Sequence, residues 1–449
     1  MTNFKRIIAL IITLSLALSL VACGGNGNGD GNGDGNSGQI VNNAISEADA
    51  FDTDAFIATM PASLRGTTIK YLNWYNPYDQ GEEGKVIDAF EQATGINVEI
   101  INPGYTLYEE NLAALVATGD APDVFALSHP SVNRLKYAQP IAKATGYDFS
   151  DKGWNKVVAN AYSVDGVQYA ANVSFTPFKR LTTVIYNKQI MEEFGFEDPW
   201  ELYKKGEWTW DKFNEMCSEW VKQGDSYYGA GLSQYGAYAY TQGLDFLKYD
   251  GSRYSLNLYD EDLLAAMRTI LEMRANRILV QATNTVFDAS KPKSLFEIAN
   301  SSALEKICSW HSKIRRYGYF AAAPLPNHDG KTSYQLLNEL IAYAVPVGAK
   351  NPKAVPYFIS WISNLAKYNL DDFYYDEQSK AVMMELLGVE NQFLDLADRE
   401  FHFDSADPFV WRLFNFATPA QLTTYIQEQE YLCEDRLTIM NETLASLQK

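Results

Sequence analysis

Between Thr68 and Leu127 the chain alternates between the two-residue apolar period of a strand and the 3.6-residue period of a helix, and no other feature constrains its fold as tightly. Thr68 to Trp74 (Thr-Ile-Lys-Tyr-Leu-Asn-Trp) alternates and is rich in strand formers. Glu82 to Thr94 then sets Val86, Ile87, Phe90 and Ala93 on one helical face, and Gly95 stops it. Ile96 to Ile101 reads as a strand, Tyr108 to Thr118 as a helix, and Asp123 to Leu127 as a short buried strand. Strands separated by helices at such short intervals need right-handed crossovers, and so a mainly parallel sheet. Ligands of such sheets bind at the carboxyl ends of the strands. Those ends are Trp74-Tyr75-Asn76-Pro77-Tyr78-Asp79 and Leu127-Ser128-His129.

Beyond this block, Tyr169 and Thr183 to Asn187 lead into a helix over Lys188 to Phe194. Thr209 is placed to cap a further helix from Trp210, with Asp211 in its first turn and Phe213, Met216, Cys217 and Trp220 at helical spacing. The glycine- and tyrosine-rich stretch Tyr227 to Tyr240 reads as loop and turn. Leu340 to Val347 reads as a buried strand. Asn351-Pro352 opens a helix with Val355, Phe358, Ile359 and Ile362 inward and a slight kink expected at Pro356. The last part is mostly helical, ending with Tyr425 to Leu447.

The N-terminus carries Lys5-Arg6, the apolar run Ile7 to Leu18, and small residues before Cys23. This is the layout of a secretory signal, and the apolar run is short for a membrane span. Leu-Val-Ala-Cys23 resembles the lipobox of bacterial lipoproteins, which implies lipidation of Cys23 after removal of residues 1–22. Gly24 to Gly38 is almost entirely Gly, Asn and Asp, with nothing to bury, and is expected to be a flexible tether over residues 23–50. Asp30-Gly-Asn-Gly-Asp34-Gly35 opens like a calcium loop, but the twelfth position is Val41 rather than Glu, so no metal is expected.

Composition narrows the function classes. The formal charge is −19, and loss of Lys5 and Arg6 with the signal makes it −21. Such a chain does not seek nucleic acid or an anionic lipid surface, so membrane contact is expected through the anchor alone. Tyr 29, Phe 23 and Trp 9 exceed what a core requires and suggest stacking surfaces. Without the anchor, Cys217, Cys308 and Cys433 remain, an odd set with no zinc or disulfide spacing. His129, His311, His328 and His402 are scattered, without metal-helix spacing.

Catalytic signatures are missing. Gly231-Leu-Ser-Gln-Tyr235 lacks the final glycine of a nucleophile elbow. Gly81-Glu-Glu-Gly-Lys85 has neither the spacing nor the hydroxyl of a phosphate loop. Carboxylate pairs for glycoside hydrolysis meet in space rather than in sequence, so their absence weighs little. Binding is favoured over catalysis, and no cofactor is expected.

Several motifs occur in an order that resembles family 1 extracellular solute-binding proteins of ABC importers. They are Trp74 with Glu82-Glu-Gly-Lys-Val-Ile-Asp-Ala-Phe-Glu-Gln-Ala-Thr-Gly-Ile-Asn-Val98, then Leu112-Ala-Ala-Leu-Val-Ala-Thr-Gly-Asp-Ala-Pro-Asp-Val124. Tyr162-Ser-Val-Asp-Gly-Val-Gln-Tyr169, Tyr186-Asn-Lys188 and Glu207-Trp-Thr-Trp-Asp211 follow. Pro324-Leu-Pro326 and Val345-Pro-Val-Gly-Ala-Lys-Asn-Pro352 complete the series. After Phe296 this chain reads Glu-Ile-Ala-Asn-Ser-Ser302, where the family usually has a Gly-basic-Ala-Met segment.

The resemblance implies an α/β, two-lobed periplasmic-binding-protein-like fold, with a central sheet in each lobe and a cleft and hinge between them. Lobe 1 is expected over residues 51–175 and 327–372, and lobe 2 over 176–326 and 373–449. Hinge crossings fall near Val173–Thr176, Pro324–Asn327 and residue 372. A monomer is expected, with a carbohydrate as ligand and an ABC transporter permease as partner on the extracellular face of the membrane. Ring faces suit sugar C–H faces while polar groups take the hydroxyls. The candidates are Trp74, Tyr75, Asp79, Glu82, Ser128, His129, Tyr235, Tyr238, Trp310 and Trp411, whereas Trp208 and Trp210 read as packing residues. Two rival classes are an exported glycoside hydrolase and a sensory module signalling to a two-component kinase.

Overall fold

The alternation after Thr68 builds a sheet whose first three strands are parallel, as the crossover argument requires. The computed structural model describes residues 52–448 except 81, 128–131, 152, 174–180, 233, 235, 282–292, 302, 305–319, 338–340, 365–376, 390 and 395–408. Cys23, Ser128, His129, Tyr235, Cys308, Trp310 and residue 372 therefore lie outside the described residues.

Ten strands form two five-stranded sheets. In chain order they are β1 (Thr68–Leu72), β2 (Asn97–Ile101), β3 (Val124–Leu127), β4 (Ala170–Ala171), β5 (Thr182–Asn187), β6 (Tyr228–Leu232), β7 (Leu279–Gln281), β8 (Ser294–Asn300), β9 (Phe320–Ala323) and β10 (Ala342–Ala344). The first sheet runs β2-β1-β3-β10-β4 and the second β7-β6-β8-β5-β9. β1 lies parallel to β2 and β3, while β10 inserts antiparallel between β3 and β4. In the second sheet β6 is parallel to β7 and β8, and β5 is antiparallel to β8 and β9.

Each sheet is covered by the helices that the apolar spacing marks. Ile69, Tyr71, Val124 and Ala126 pack against Ile87 and Phe90 of the Glu82–Thr94 helix and Val355, Phe358 and Ile359 of the Val355–Asn364 helix. Phe90 meets Phe358 edge-on with centroids 5.5 Å apart. Full burial of each such ring contributes about 1.5–3 kcal/mol. On the second sheet Val184, Tyr186, Ala230, Phe296 and Ile298 pack against Phe213, Met216, Cys217 and Trp220 of the Trp210–Trp220 helix. Thr209 caps that helix by accepting from the Lys212 N–H. Cys217 and Cys433 are buried free thiols.

A third apolar cluster covers the other face of the first sheet, at Leu72, Phe125 and Leu127, and continues through Tyr254, Met267 and Leu413. It ends on Cys433, Met440 and Leu444 of the last helix, Leu422–Leu447. That helix takes part in both halves: Tyr169 donates to the Leu447 carbonyl, and the Asn441 amide pairs with the Tyr254 backbone at 2.8 and 3.0 Å.

Two expectations need correction. Tyr227 to Tyr240 is not only loop and turn: Tyr228–Leu232 is β6, inside the second sheet, followed by a helical turn at Ala237–Tyr240. Its glycines serve close packing, since a Cβ on Gly229 would lie 2.5 Å from the Ile278 carbonyl oxygen and 2.6 Å from Cys217 Cβ. Pro356 does not kink a helix interior. The α-helix begins at Val355 after a 3₁₀ turn over Pro352–Ala354, so Pro356 falls in its first turn, where proline fits.

The chain passes from β4 to β5 and returns between the strand Tyr334–Leu337 and β10. These two connections are neighbours: the Asn172 amide donates to the Ile341 carbonyl, and Leu181 bridges Leu337. Pro324–Asn327 packs beside the second sheet. The Trp208 Nε1–H donates to the Pro324 carbonyl at 2.8 Å, and the Trp210 N–H to the Asn327 carbonyl at 3.0 Å.

Candidate binding site

The site begins where β1 ends. Asn73 is fully buried, and its Oδ1 accepts the Trp74 N–H at 2.9 Å, turning the chain out of the sheet. The next two residues, Trp74 and Tyr75, are half-buried. Their rings meet nearly at right angles with centroids 5.4 Å apart. Beneath Trp74 lies Tyr108, centroid to centroid 6.2 Å. Tyr108 is itself fixed at the second strand end by donating to the Ala126 carbonyl at 2.6 Å, with the Arg134 guanidinium 4.8 Å from its ring centre. Aromatic faces are thus held by backbone hydrogen bonds at the carboxyl ends of β1 and β3.

Burial raises the Tyr75 phenol well above its usual pKa, and Tyr343 and Glu83 push it further the same way, so it stays neutral and able to donate. The following 3₁₀ turn, Pro77–Gln80, is pinned to the next helix by Tyr78, whose hydroxyl donates to Asp88 at 3.1 Å. Burial, then Asp88, pushes that phenol up to about 12. Gly84 permits the contact, because a Cβ there would lie 2.5 Å from Tyr78 Cδ1. Asp79 is exposed on this turn.

Of the remaining candidates, Tyr238 lies on the second-sheet side. It packs against Trp210 at 5.0 Å and His328 at 4.9 Å, half-buried, with its phenol raised by burial. Glu82 and Trp411 are described only as positions in the Glu82–Thr94 and Phe409–Phe416 helices. The structure thus brings Trp74 and Tyr75 together, with Asp79 one turn away, and sets Tyr238 in a separate aromatic group. Trp208 and Trp210 are buried, as packing residues should be.

Sequence reasoning passed over Asn73 and Tyr108, which hold Trp74 at the strand end, and Tyr343, which helps raise the Tyr75 phenol. It also passed over Glu297 on β8. Burial alone pushes that carboxyl up to about 7, and its Oε2 has no hydrogen-bond partner among the described residues. The available signal was an acid inside the apolar run Leu295-Phe296-Glu297-Ile298.

The arrangement offers ring faces and neutral hydroxyl donors, with no assembled nucleophile and base among these residues. Among the described residues no group of three or more His, Cys, Asp or Glu is placed to hold a metal ion. No helix among them is long and apolar enough to cross a membrane.

Comparison with known proteins gives the same architecture. The family described as bacterial extracellular solute-binding protein matches residues 77–366, well over half of the chain. No curated sequence matches the chain. Among solved structures, UgpB from Mycobacterium tuberculosis in complex with glycerophosphocholine aligns with a TM-score of 0.59 at 17% identity, covering 82% of this chain and 98% of its own. The extracellular solute-binding protein from Staphylococcus aureus in complex with maltose aligns at 0.57 and 15% identity, covering 81% and 98%. The ABC substrate-binding protein Lmo0181 from Listeria monocytogenes in complex with cycloalternan aligns at 0.55 and 15% identity, covering 82% and 99%. At such identities the likeness establishes the fold: two lobes, each with a central sheet, and a cleft and hinge between them.

Proposed function

The chain belongs to the bacterial extracellular solute-binding proteins, and from that premise we propose that it captures a carbohydrate between its lobes and delivers it to the permease of an ABC importer. One observation carries the choice of ligand: the half-buried Trp74–Tyr75 pair, held by Asn73 and Tyr108 at the carboxyl ends of first-sheet strands, the ends at which ligands of such sheets bind. Ring faces cover the C–H surface of a pyranose, and hydroxyl and amide groups around them take its hydroxyls. Asp79, Glu82, Ser128, His129, Tyr235, Tyr238, Trp310 and Trp411 remain candidates for the polar and second-lobe contacts. A ligand touching both lobes favours the closed form by the contacts it gains there, and the permease reads that form.

Lipidation of Cys23 would hold the protein at the outer face of the membrane, and the spacer to residue 50 would keep it near its permease, raising its effective concentration there. We assign lobe 1 to residues 51–175 and, after the return that follows the strand Tyr334–Leu337, to the stretch up to residue 372, with lobe 2 over 176–337 and 373–449. The protein acts by binding, as a monomer, without cofactor or turnover.

The test is thermal unfolding of the purified chain against mono- and oligosaccharides, glycerophosphodiesters, amino acids and peptides. The glycerophosphodiesters are included because one structural neighbour holds glycerophosphocholine. A ligand at a hundred times its Kd adds about 2.7 kcal/mol, a shift of several degrees for a chain of this size. A shift with carbohydrates alone supports the proposal. A shift only with another class keeps the receptor and discards the sugar.

A further inference from the structure

The last helix, Leu422–Leu447, presents a face that the core does not use. Its inward side buries Cys433, Met440 and Leu444. Outward, Tyr431 is 77% exposed, Leu432 41% and Ile439 43%. Leu432, Asp435 and Ile439 follow one another along one exposed strip, and Tyr431, Asp435, Thr438 and Glu442 along the next. Tyr259, 53% exposed, joins this surface by donating its hydroxyl to Glu430 at 2.6 Å. A single exposed apolar side chain is ordinary. Four gathered on and beside one helix make a patch whose burial against a partner is favourable.

Beside the patch runs a groove of about 560 Å³. Glu434, Leu437, Thr438 and Glu442 of the helix line one side. Ser252 and Arg253, in the turn of the hairpin Leu247–Tyr249 and Tyr254–Leu256, line the other. Both sides are fixed. Asn441, which also lines the groove, bonds the backbone N–H and carbonyl of Tyr254, and the Asp250 carboxylate accepts from the Ser252 and Arg253 N–H groups at 2.9 and 2.8 Å.

Charge decides what fits. Helix and turn carry Asp250, Glu428, Glu430, Glu434, Asp435 and Glu442 against Arg253 and Arg436. Glu434, Asp435 and Glu442 make no hydrogen bond or ion pair with another described residue. A second copy of the chain would set these carboxylates against their own kind, and an anionic lipid surface would meet the same repulsion. A purely apolar partner would strip them of water without pairing them. A segment with Lys or Arg beside aliphatic side chains satisfies both features. Its apolar residues cover Tyr431, Leu432 and Ile439, and a cation on its long stem enters the groove beside Glu434 and Glu442.

We propose that this face of the last helix is a docking surface for a basic, amphipathic helical segment of a partner protein. None of its residues belongs to the candidate solute site, so docking is independent of which solute binds.

Fluorescence anisotropy tests it, with the purified full chain titrated into a labelled synthetic helix that has Leu on one face and Lys on the other. Physiological salt screens diffuse attraction to the acidic chain. Binding is expected to saturate at one peptide per chain, and a peptide with Glu in place of Lys is expected not to bind. Leu432→Ser with Ile439→Ser should weaken binding about tenfold or more, and Glu434→Gln with Glu442→Gln about fivefold or more. These side chains are exposed or line an open groove, so the variants should unfold at the native midpoint. Glu192→Gln with Glu193→Gln removes two exposed carboxylates from the helix Lys188–Phe194 and should leave binding unchanged. No saturable binding overturns the proposal, as does an equal loss in the Glu192 and Glu193 variant, which would mark mere attraction to net charge. Sedimentation of the chain alone adds a last check. A dimer that Leu432→Ser with Ile439→Ser abolishes would assign the face to a second copy and overturn the basic partner.

Discussion

Trp74 illustrates how much a single residue reveals and conceals. Its position after a strand is plain in the sequence, and so is the reason to propose a ring there for the cleft. Tyr108 beneath it is not, because contact between residues so far apart depends on how β1 and β3 pair. Trp74→Ala should raise the Kd for the bound carbohydrate at least tenfold, about 1.4 kcal/mol. Titration calorimetry checks this, and an unchanged Kd would remove Trp74 from the site. Glu297 makes a different prediction. The folded state holds its proton more tightly than the unfolded chain does, since burial moves it from an ordinary 4.5 to about 7. Its favourable contribution is therefore complete below about pH 4.5 and is lost as pH rises through about 7. Glu297→Gln should match the native protein at pH 4.5 and exceed it at pH 8 by roughly 1–3 kcal/mol in urea unfolding. A gain independent of pH would contradict the assignment.

At the scale of elements, the helices were the most legible. Glu82–Thr94 and Lys188–Phe194 begin and end where spacing and glycine place them, and Thr209 caps as its residue type suggests. β6 was hidden because glycine usually marks a turn. In Tyr228–Leu232 glycine instead lets the strand approach Cys217 and Ile278 closely. Gly229→Ala should accordingly destabilise the protein by about 1–3 kcal/mol through overpacking. A thermal midpoint equal to that of the native protein would show that the space can relax. β7, β8 and β9 were also unread. β7 and β9 are short, and all three draw their identity from their neighbours in the sheet rather than from a local pattern.

For the whole molecule, the fold class was legible because alternation pointed to a mainly parallel sheet in the first part of the chain, while motif order resembled a two-lobed family with a sheet in each lobe. Strand order was not: nothing local to Ala342–Ala344 says that it inserts antiparallel between β3 and β4. The Leu422–Leu447 helix was readable as a helix, but its reach from Tyr169 to Tyr254 was not, since surface and partner are far apart in sequence. The central claim concerns the molecule as a whole, that its lobes close on a carbohydrate. Small-angle scattering of the purified chain, alone and with each compound of the panel, tests it most directly. The account predicts a smaller radius of gyration with carbohydrate and no change with amino acids, peptides or glycerophosphodiesters. An unchanged radius with every carbohydrate, or contraction with another class alone, would contradict it.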